Sequence, residues 1–243
     1  MSSTEYITSD TSKRLIRDIK DLYKNPLIDE GIYYTHDDTN MLKGYAMIIG
    51  PKDTPYEYGI YLFTFHFPSN YPSSPPKLIF KTVDLDGNTR FNPNLYRNGK
   101  VCLSILNTWY GDSWSSCQTI RSILMTLITI LNENPLLNEP GVNENNMFIK
   151  AYNDIIRFKN LKCAIVEMGL ERTLPNEFKH FFNDIREHLI KNKDIIINNI
   201  NKMLDFEGRV IETGIYSNMK CKFYIKELLE NTHKMYEQIE NNK

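Results

Sequence analysis

The residues of this chain best suited to making and breaking a covalent bond are its four cysteines, Cys102, Cys117, Cys163 and Cys221. They form no Cys-x-x-Cys pair, which argues against a zinc site and a disulfide framework and leaves free thiols. Free thiols do nucleophilic chemistry: the thiolate attacks readily, and a thioester formed on it stays reactive toward amines. Cys163 shares an apolar helical stripe with Ile155 and Val166, where a small buried hydrophobe is expected. Cys117 opens a helix near its positive end, a place that lowers a thiol's pKa, but no partner pattern surrounds it. Cys221 belongs to the C-terminal part of the chain. Cys102 differs from all three, because it lies in the weakly periodic, Asn-, Gly- and Pro-rich stretch from Lys81 to Trp114. Long ordered loops of that kind usually carry function. No His-plus-acid arrangement marks Cys102 as a protease nucleophile.

The elements around that loop follow from periodicity. Leu15, Ile16, Ile19, Leu22 and Tyr23 predict an amphipathic helix over residues 10–24, capped by Ser9 or Asp10 and closed before Pro26. Its other face carries Lys13, Arg14, Arg17 and Lys20, a basic surface or simply a solvated one. Short β-rich runs at Ile32–Thr35, Tyr45–Ile49, Ile60–Phe67 and Leu78–Phe80, separated by turn clusters, predict an antiparallel meander. From Thr119, Ile120, Ile123, Leu124, Leu127, Ile128 and Leu131 predict a central helix. After Asn138-Glu139-Pro140-Gly141 a third helix is expected from about Asn145 to Met168. Two further helical patterns follow Glu171, parted by a break near Gly208 to Gly214. The expectation is an α+β catalytic domain over 1–170, with a helical C-terminal extension over 171–243 packed on it.

Composition limits the partners. With 29 Lys+Arg against 30 Asp+Glu in 243 residues, the chain has no global positive field for nucleic acid or an anionic membrane. The longest apolar stretch, Ile123 to Leu131, is far too short to span a bilayer, and MSSTEYITSD lacks the features of a leader. An intracellular protein, cytoplasmic or nuclear, is expected. No Gly-rich phosphate loop is found, so no bound nucleotide is expected, and the cysteine spacing points to no metal or other cofactor.

Two stretches carry a family resemblance. Tyr58 to Lys77, YGIYLFTFHFPSNYPSSPPK, resembles the strand and proline-rich turn of ubiquitin-conjugating enzymes, and Phe91 to Leu106, FNPNLYRNGKVCLSIL, resembles their active-site segment. Asn92, Pro93 and Asn94 match the family's His-Pro-Asn element, with Cys102 eight residues after Asn94. Trp109, Trp114 and the turn from Asn134 to Pro140 fall where the family has its Trp loop and acidic gate. The Asn-Pro-Asn form, the longer gate and the C-terminal helices resemble the extended Z-type branch, and together these features cover most of residues 10–170.

The resemblance implies the family's fold, an N-terminal helix, a four-stranded meander and C-terminal helices. It also implies an acyl transfer in which Cys102 takes ubiquitin or a ubiquitin-like modifier from an activating enzyme and passes it to a lysine of a protein substrate. ATP would be spent by the activating enzyme. Asn94 either stabilises the oxyanion, a contribution of about 3 kcal/mol, or pins the loop. Glu139 is the gate carboxylate that would orient the acceptor lysine, with Asn138 as the alternative alignment and an ordinary exposed acid as the plainer reading. Tyr96 and Leu103 would shape the groove for the modifier's tail. Lys13, Arg14 and Arg17 would meet the activating enzyme, and ligases would grip this helix with the loops Tyr71 to Pro76 and Ser115 to Cys117. Ser73 and Ser116 stand there in place of large or apolar residues, and losing an apolar anchor costs about 1 to 2 kcal/mol, which implies weak binding of common ligases or the use of an unusual one. A non-catalytic binding module on the same fold is the rival reading, opposed by the presence of Cys102. The extension either covers the main domain or contributes to substrate choice.

Overall fold

The computed structural model describes residues 7–217 and 219–241. Helix α1, Ser9–Lys24, is capped by Thr8, whose hydroxyl accepts the Thr11 N–H at 3.1 Å, one residue earlier than the expected cap. Its buried stripe is Thr11, Leu15, Asp18 and Leu22, whereas Ile16 and Tyr23 face solvent. The stripe is displaced because Asp18 is buried with partners: it accepts from Arg14 Nε at 2.8 Å and from the Tyr71 hydroxyl at 2.7 Å. A paired carboxylate thus occupies a core position that hydrophobicity alone assigns to its neighbours.

Strands β1 (Ile32–His36), β2 (Lys43–Ile49), β3 (Ile60–His66) and β4 (Lys77–Phe80) form one antiparallel sheet in sequential order. The register sets Ala46 opposite Phe63 and Phe63 opposite Phe80. Strand β3 is buried along almost its whole length, so it carries apolar residues on both faces and reads as a continuous run. Helix α2, Ile120–Ile130, opens with a reciprocal capping box between Thr119 and Ser122 and buries Ile120, Ile123, Leu124, Leu127 and Ile130. Cys117 lies in the exposed turn before this cap, outside the helix that it was expected to open.

The expected third helix is shorter and mixed in kind. Helix α3 spans Ile149–Lys159 and continues as a π-helical stretch over Asn160–Glu167. Asn160 there accepts the Tyr61 hydroxyl at 2.6 Å and donates to the Glu57 carbonyl at 2.9 Å, tying the wider turn to the sheet. Lys159 forms a buried ion pair with Asp84 at 3.0 Å.

Beyond residue 170 the two expected helical patterns resolve into helices α4 (Phe182–Lys191), α5 (Lys193–Asn201) and α6 (Ile225–Asn241). The break near Gly208 to Gly214 is a two-stranded hairpin, β5 (Val210–Glu212) with β6 (Lys220–Lys222). One hydrophobic core runs through both parts of the chain, from Leu15 and Phe63 to Phe178, Leu189, Phe223 and Met235. Phe178 packs edge-on to Tyr45, and the His188 ring nitrogen meets the Tyr58 carbonyl at 3.0 Å. No described helix is long and apolar enough to cross a membrane.

Candidate active site around Cys102

Cys102 is placed by a tight turn whose pairing explains its distance from Asn94. The Leu95–Val101 bridge and the Tyr96 N–H to Lys100 carbonyl bond, 2.9 Å, fold residues 94–102 back on themselves. Asn94 and Cys102 therefore meet at the open end of this hairpin. The Cys102 N–H donates to the Asn94 carbonyl at 2.9 Å, and Asn94 Nδ2 donates to the Cys102 carbonyl at 2.7 Å. The two bonds form a reciprocal clasp between the ends of the turn.

Behind the clasp lies a buried amide network. Asn92, fully buried, donates through Nδ2 to the Ile130 carbonyl at 2.7 Å and to the Tyr56 hydroxyl at 2.9 Å, and its Oδ1 accepts the Asn94 N–H at 2.9 Å. The Tyr56 hydroxyl donates onward to the Phe91 carbonyl at 2.6 Å. Asn138 joins from the gate turn, donating to the Ile130 carbonyl at 3.0 Å. Pro93 is buried between the two asparagines. Asn92 thus ties the loop to the end of α2 and to the sheet-side turn at once, using both amide hydrogens and its oxygen. Asn138 and Glu139 face different groups: Asn138 serves this network, and Glu139 turns to the opposite side.

On that side a set of aromatic and charged groups converges. Glu139 accepts the Tyr216 hydroxyl at 2.6 Å and approaches Arg90 at 4.0 Å. The Arg90 guanidinium lies 3.8 Å from the centre of the Tyr96 ring and 4.3 Å from that of Tyr216, held between two rings, and it also donates to the Pro93 carbonyl. Neither Arg90 nor Tyr216 was singled out from sequence. Arg90 stands two residues before the asparagine motif and could have been suspected, but Tyr216 reaches Glu139 across 77 residues of chain.

The Cys102 residue is only 1% exposed, and burial pushes its thiol pKa up. Lys100, Arg90 and the nearby Tyr96 hydroxyl act in the opposite sense, favouring the thiolate, without cancelling burial. Burial also raises Cys221 to about 11 and Cys163 further still, so these two are inert thiols of the core. Cys117 is the exposed one.

Two of the expected surface residues are placed otherwise. Leu103 is 3% exposed and packs in the core, so it cannot line a groove, while Tyr96 is half-buried beneath Arg90. Arg14 is no free surface cation: its guanidinium is buried against Asp18 and donates to the carbonyls of Ser116, at 2.6 Å, and Gln118. Carbonyls that the turn before α2 would leave unpaired draw it inward. Lys13 and Arg17 remain exposed on α1, and Ser73 and Ser116 are exposed on adjacent loops. Those loops are joined at Pro72, whose carbonyl accepts Trp114 Nε1 at 2.8 Å and the Ser116 hydroxyl at 3.2 Å.

A four-stranded meander packed with helices, and a cysteine clasped to an asparagine eight residues before it, define one class of protein. The chain belongs to the ubiquitin-conjugating enzyme family, whose model matches residues 14–159. It is similar to ubiquitin-conjugating enzyme E2 Z of Xenopus tropicalis, 44% identical over 64% of this chain and 49% of the relative, and to that of Danio rerio, 45% identical over 64% of this chain and 47% of the relative. The chain thus spans about half the length of these curated relatives. Among solved structures, human ubiquitin-conjugating enzyme E2 G1 is 33% identical with a TM-score of 0.44, covering 51% of this chain and 97% of that one.

Proposed function

We propose that this chain is a ubiquitin-conjugating enzyme that carries ubiquitin or a ubiquitin-like modifier as a thioester on Cys102. The Cys102 thiolate attacks the carbonyl carbon of the modifier's thioester on an activating enzyme, the old carbon–sulfur bond breaks, and the activating enzyme's cysteine leaves as a thiolate that takes up the proton Cys102 gave up. A substrate lysine amine then attacks the new thioester, a carbon–nitrogen bond forms, and the Cys102 thiolate departs. The observation that carries this reading is the clasp between Asn94 and Cys102, backed by the Asn92 amide network and bordered by Tyr96 and Arg90, the latter in turn reaching Glu139.

Each neighbour has a role in that sequence. Burial raises the thiol pKa, so loading is helped by Lys100 and Arg90, which favour the anion. Asn94 holds the Cys102 carbonyl with one amide hydrogen and has a second for the oxyanion that forms as lysine attacks. Glu139 orients the incoming ammonium and takes its proton through water. Tyr96 borders the path of the modifier's tail. Lys13 and Arg17 on α1 meet the activating enzyme, and Ser73 and Ser116 form a small, polar ligase platform suited to an unusual ligase. Free thiols at all four cysteines support an intracellular place of action, cytoplasmic or nuclear.

The test is a non-reducing gel of the full chain with ubiquitin, ATP and each available activating enzyme. A thiol-sensitive adduct is expected, becoming a reductant-resistant ester in Cys102→Ser. No adduct with any activating enzyme would favour a module that binds a modifier without carrying it.

A further inference from the structure

The loop joining β5 to β6 reaches back from the extension to the gate. Tyr216 and Ser217 both adopt the left-handed region, with φ of 52° and 60°, a conformation that side chains other than glycine take up at a cost. Strain of this kind persists only where surrounding contacts impose it, and it concentrates at working sites. The contacts here are specific. The Tyr216 hydroxyl donates to Glu139, its ring covers Arg90, and its carbonyl accepts from Arg97 Nη2 at 2.9 Å. The Thr213 N–H to Met219 carbonyl bond, 2.9 Å, closes the loop. Gly214 lies so near Phe148 that an added Cβ would stand 2.3 Å from its ring.

These contacts make an unbroken connection from the extension to the thiol. Tyr216 covers one face of the Arg90 guanidinium and Tyr96 the other, with Tyr96 beside Cys102. Arg90 Nε is buried without a partner among the described residues, so this cation is held largely by ring faces and by the Pro93 carbonyl. The Tyr216 phenol is pushed well above its ordinary pKa by burial and by Glu139, so it remains a donor throughout the neutral range. A carboxylate that accepts one short bond from a fixed phenol keeps one oxygen direction occupied and presents the rest of its lone pairs in a set orientation.

We propose that the extension completes the active site, with Tyr216 as a positioning residue that holds Glu139 and Arg90 in place for the acceptor lysine. The inference rests on the thioester reading above and adds to it a residue from outside the part of the chain that matches the family model. Tyr216 touches neither the modifier nor the lysine; it sets the direction from which the Glu139 carboxylate meets the ammonium. Loading of Cys102 and loss of the thioester to water do not need that direction.

The experiment uses the full chain, loaded with ubiquitin by an activating enzyme that is then stopped by removal of magnesium, and follows the thioester after addition of free lysine at graded concentrations. In Tyr216→Phe, loading and hydrolysis by water are expected to match the unaltered chain, while discharge to lysine falls about tenfold, the loss expected from deleting one hydrogen bond to a charged group. Glu139→Gln should show a comparable loss, and the double variant should be no slower than the slower single one, because both act on one group. Gly214→Val, which lifts the loop off Phe148 while keeping Tyr216, should reproduce the defect. Lysine discharge unchanged in Tyr216→Phe, or effects that multiply in the double variant, would overturn the inference alone. Failure of the unaltered chain to form any thioester would overturn the functional reading and this inference with it.

Discussion

The two sides of Cys102 are built on different principles. On one side stand neutral amides, Asn92, Asn94 and Asn138, whose partners are mostly backbone carbonyls and N–H groups within the residues that match the family model. On the other side stand Arg90, Glu139, Tyr96 and Tyr216, charges and rings that meet one another through their side chains, with Tyr216 supplied from outside that match. Backbone-anchored amides hold one geometry, because each lost bond strands a buried polar group. Stacked rings and a cation hold one another through faces and charge, with a directional bond where Tyr216 meets Glu139. The amide side therefore fixes where the sulfur is, and the aromatic side sets how Glu139 is presented to what approaches it.

The largest test of that division is Asn94→Ala. Lysine discharge should fall about 100-fold as both the side-chain half of the clasp and the oxyanion donor are lost, with a smaller fall in loading. Single-turnover gels measure both rates, and unaltered discharge would mean the amide side holds structure without serving chemistry.

Next in size is Asn92→His. An imidazole offers one donor and one acceptor, whereas Asn92 serves the Ile130 carbonyl, the Tyr56 hydroxyl and the Asn94 N–H. Restoring the residue that the wider family carries should thus cost this chain about 1 to 3 kcal/mol, read as a lower midpoint in urea at unchanged slope. A midpoint equal to that of the unaltered chain would show that the network re-pairs freely around an imidazole.

A several-fold effect is expected at Arg90. Alkylation by iodoacetamide, followed residue by residue by mass spectrometry, should modify exposed Cys117 first and Cys102 more slowly, leaving Cys163 and Cys221 untouched in the native state. Because burial raises the Cys102 pKa, its rate should keep climbing past the ordinary thiol value of about 8.5. Arg90→Met should slow Cys102 alone. An unchanged rate would place the cation's influence wholly on Glu139.

The smallest effect concerns the docking of the extension. Burial depresses the pKa of His188, which meets the Tyr58 carbonyl from α4. The unfolded chain then binds a proton that the folded one refuses, so the stability present above the ordinary value of about 6.5 is lost as pH falls toward the depressed one. Burial depresses His36, His66 and His180 as well, so urea midpoints between pH 7.5 and 5.5 should fall less steeply in His188→Asn, and the difference measures this contribution.

What could be seen from sequence follows the same division. The meander, α2 and the Asn94–Cys102 pairing are local, and alternation, helical spacing and an eight-residue separation disclose them. Arg14 looked like a solvated cation because nothing in its neighbourhood names the carbonyls of Ser116 and Gln118 that it meets 102 and 104 residues away. Tyr216 lay in what reads as a break between helices, since a short hairpin has too little periodicity to announce itself. Leu103 follows the cysteine directly and is buried along with it, which nothing in this weakly periodic stretch discloses.

The shared interior sets how the molecule comes apart. Phe178, Leu189 and Phe223 belong to the same core as Phe63 and Leu127, and Tyr45 and Tyr58 are shielded by residues that arrive more than a hundred positions later. Removing residues 171–243 would turn this buried surface into an exposed apolar face of the kind that drives self-association. Denaturation should accordingly be one cooperative transition in which the sheet and the extension lose their structure together. The search for contacts this distant in sequence should in turn make refolding slower than the local helices alone would suggest.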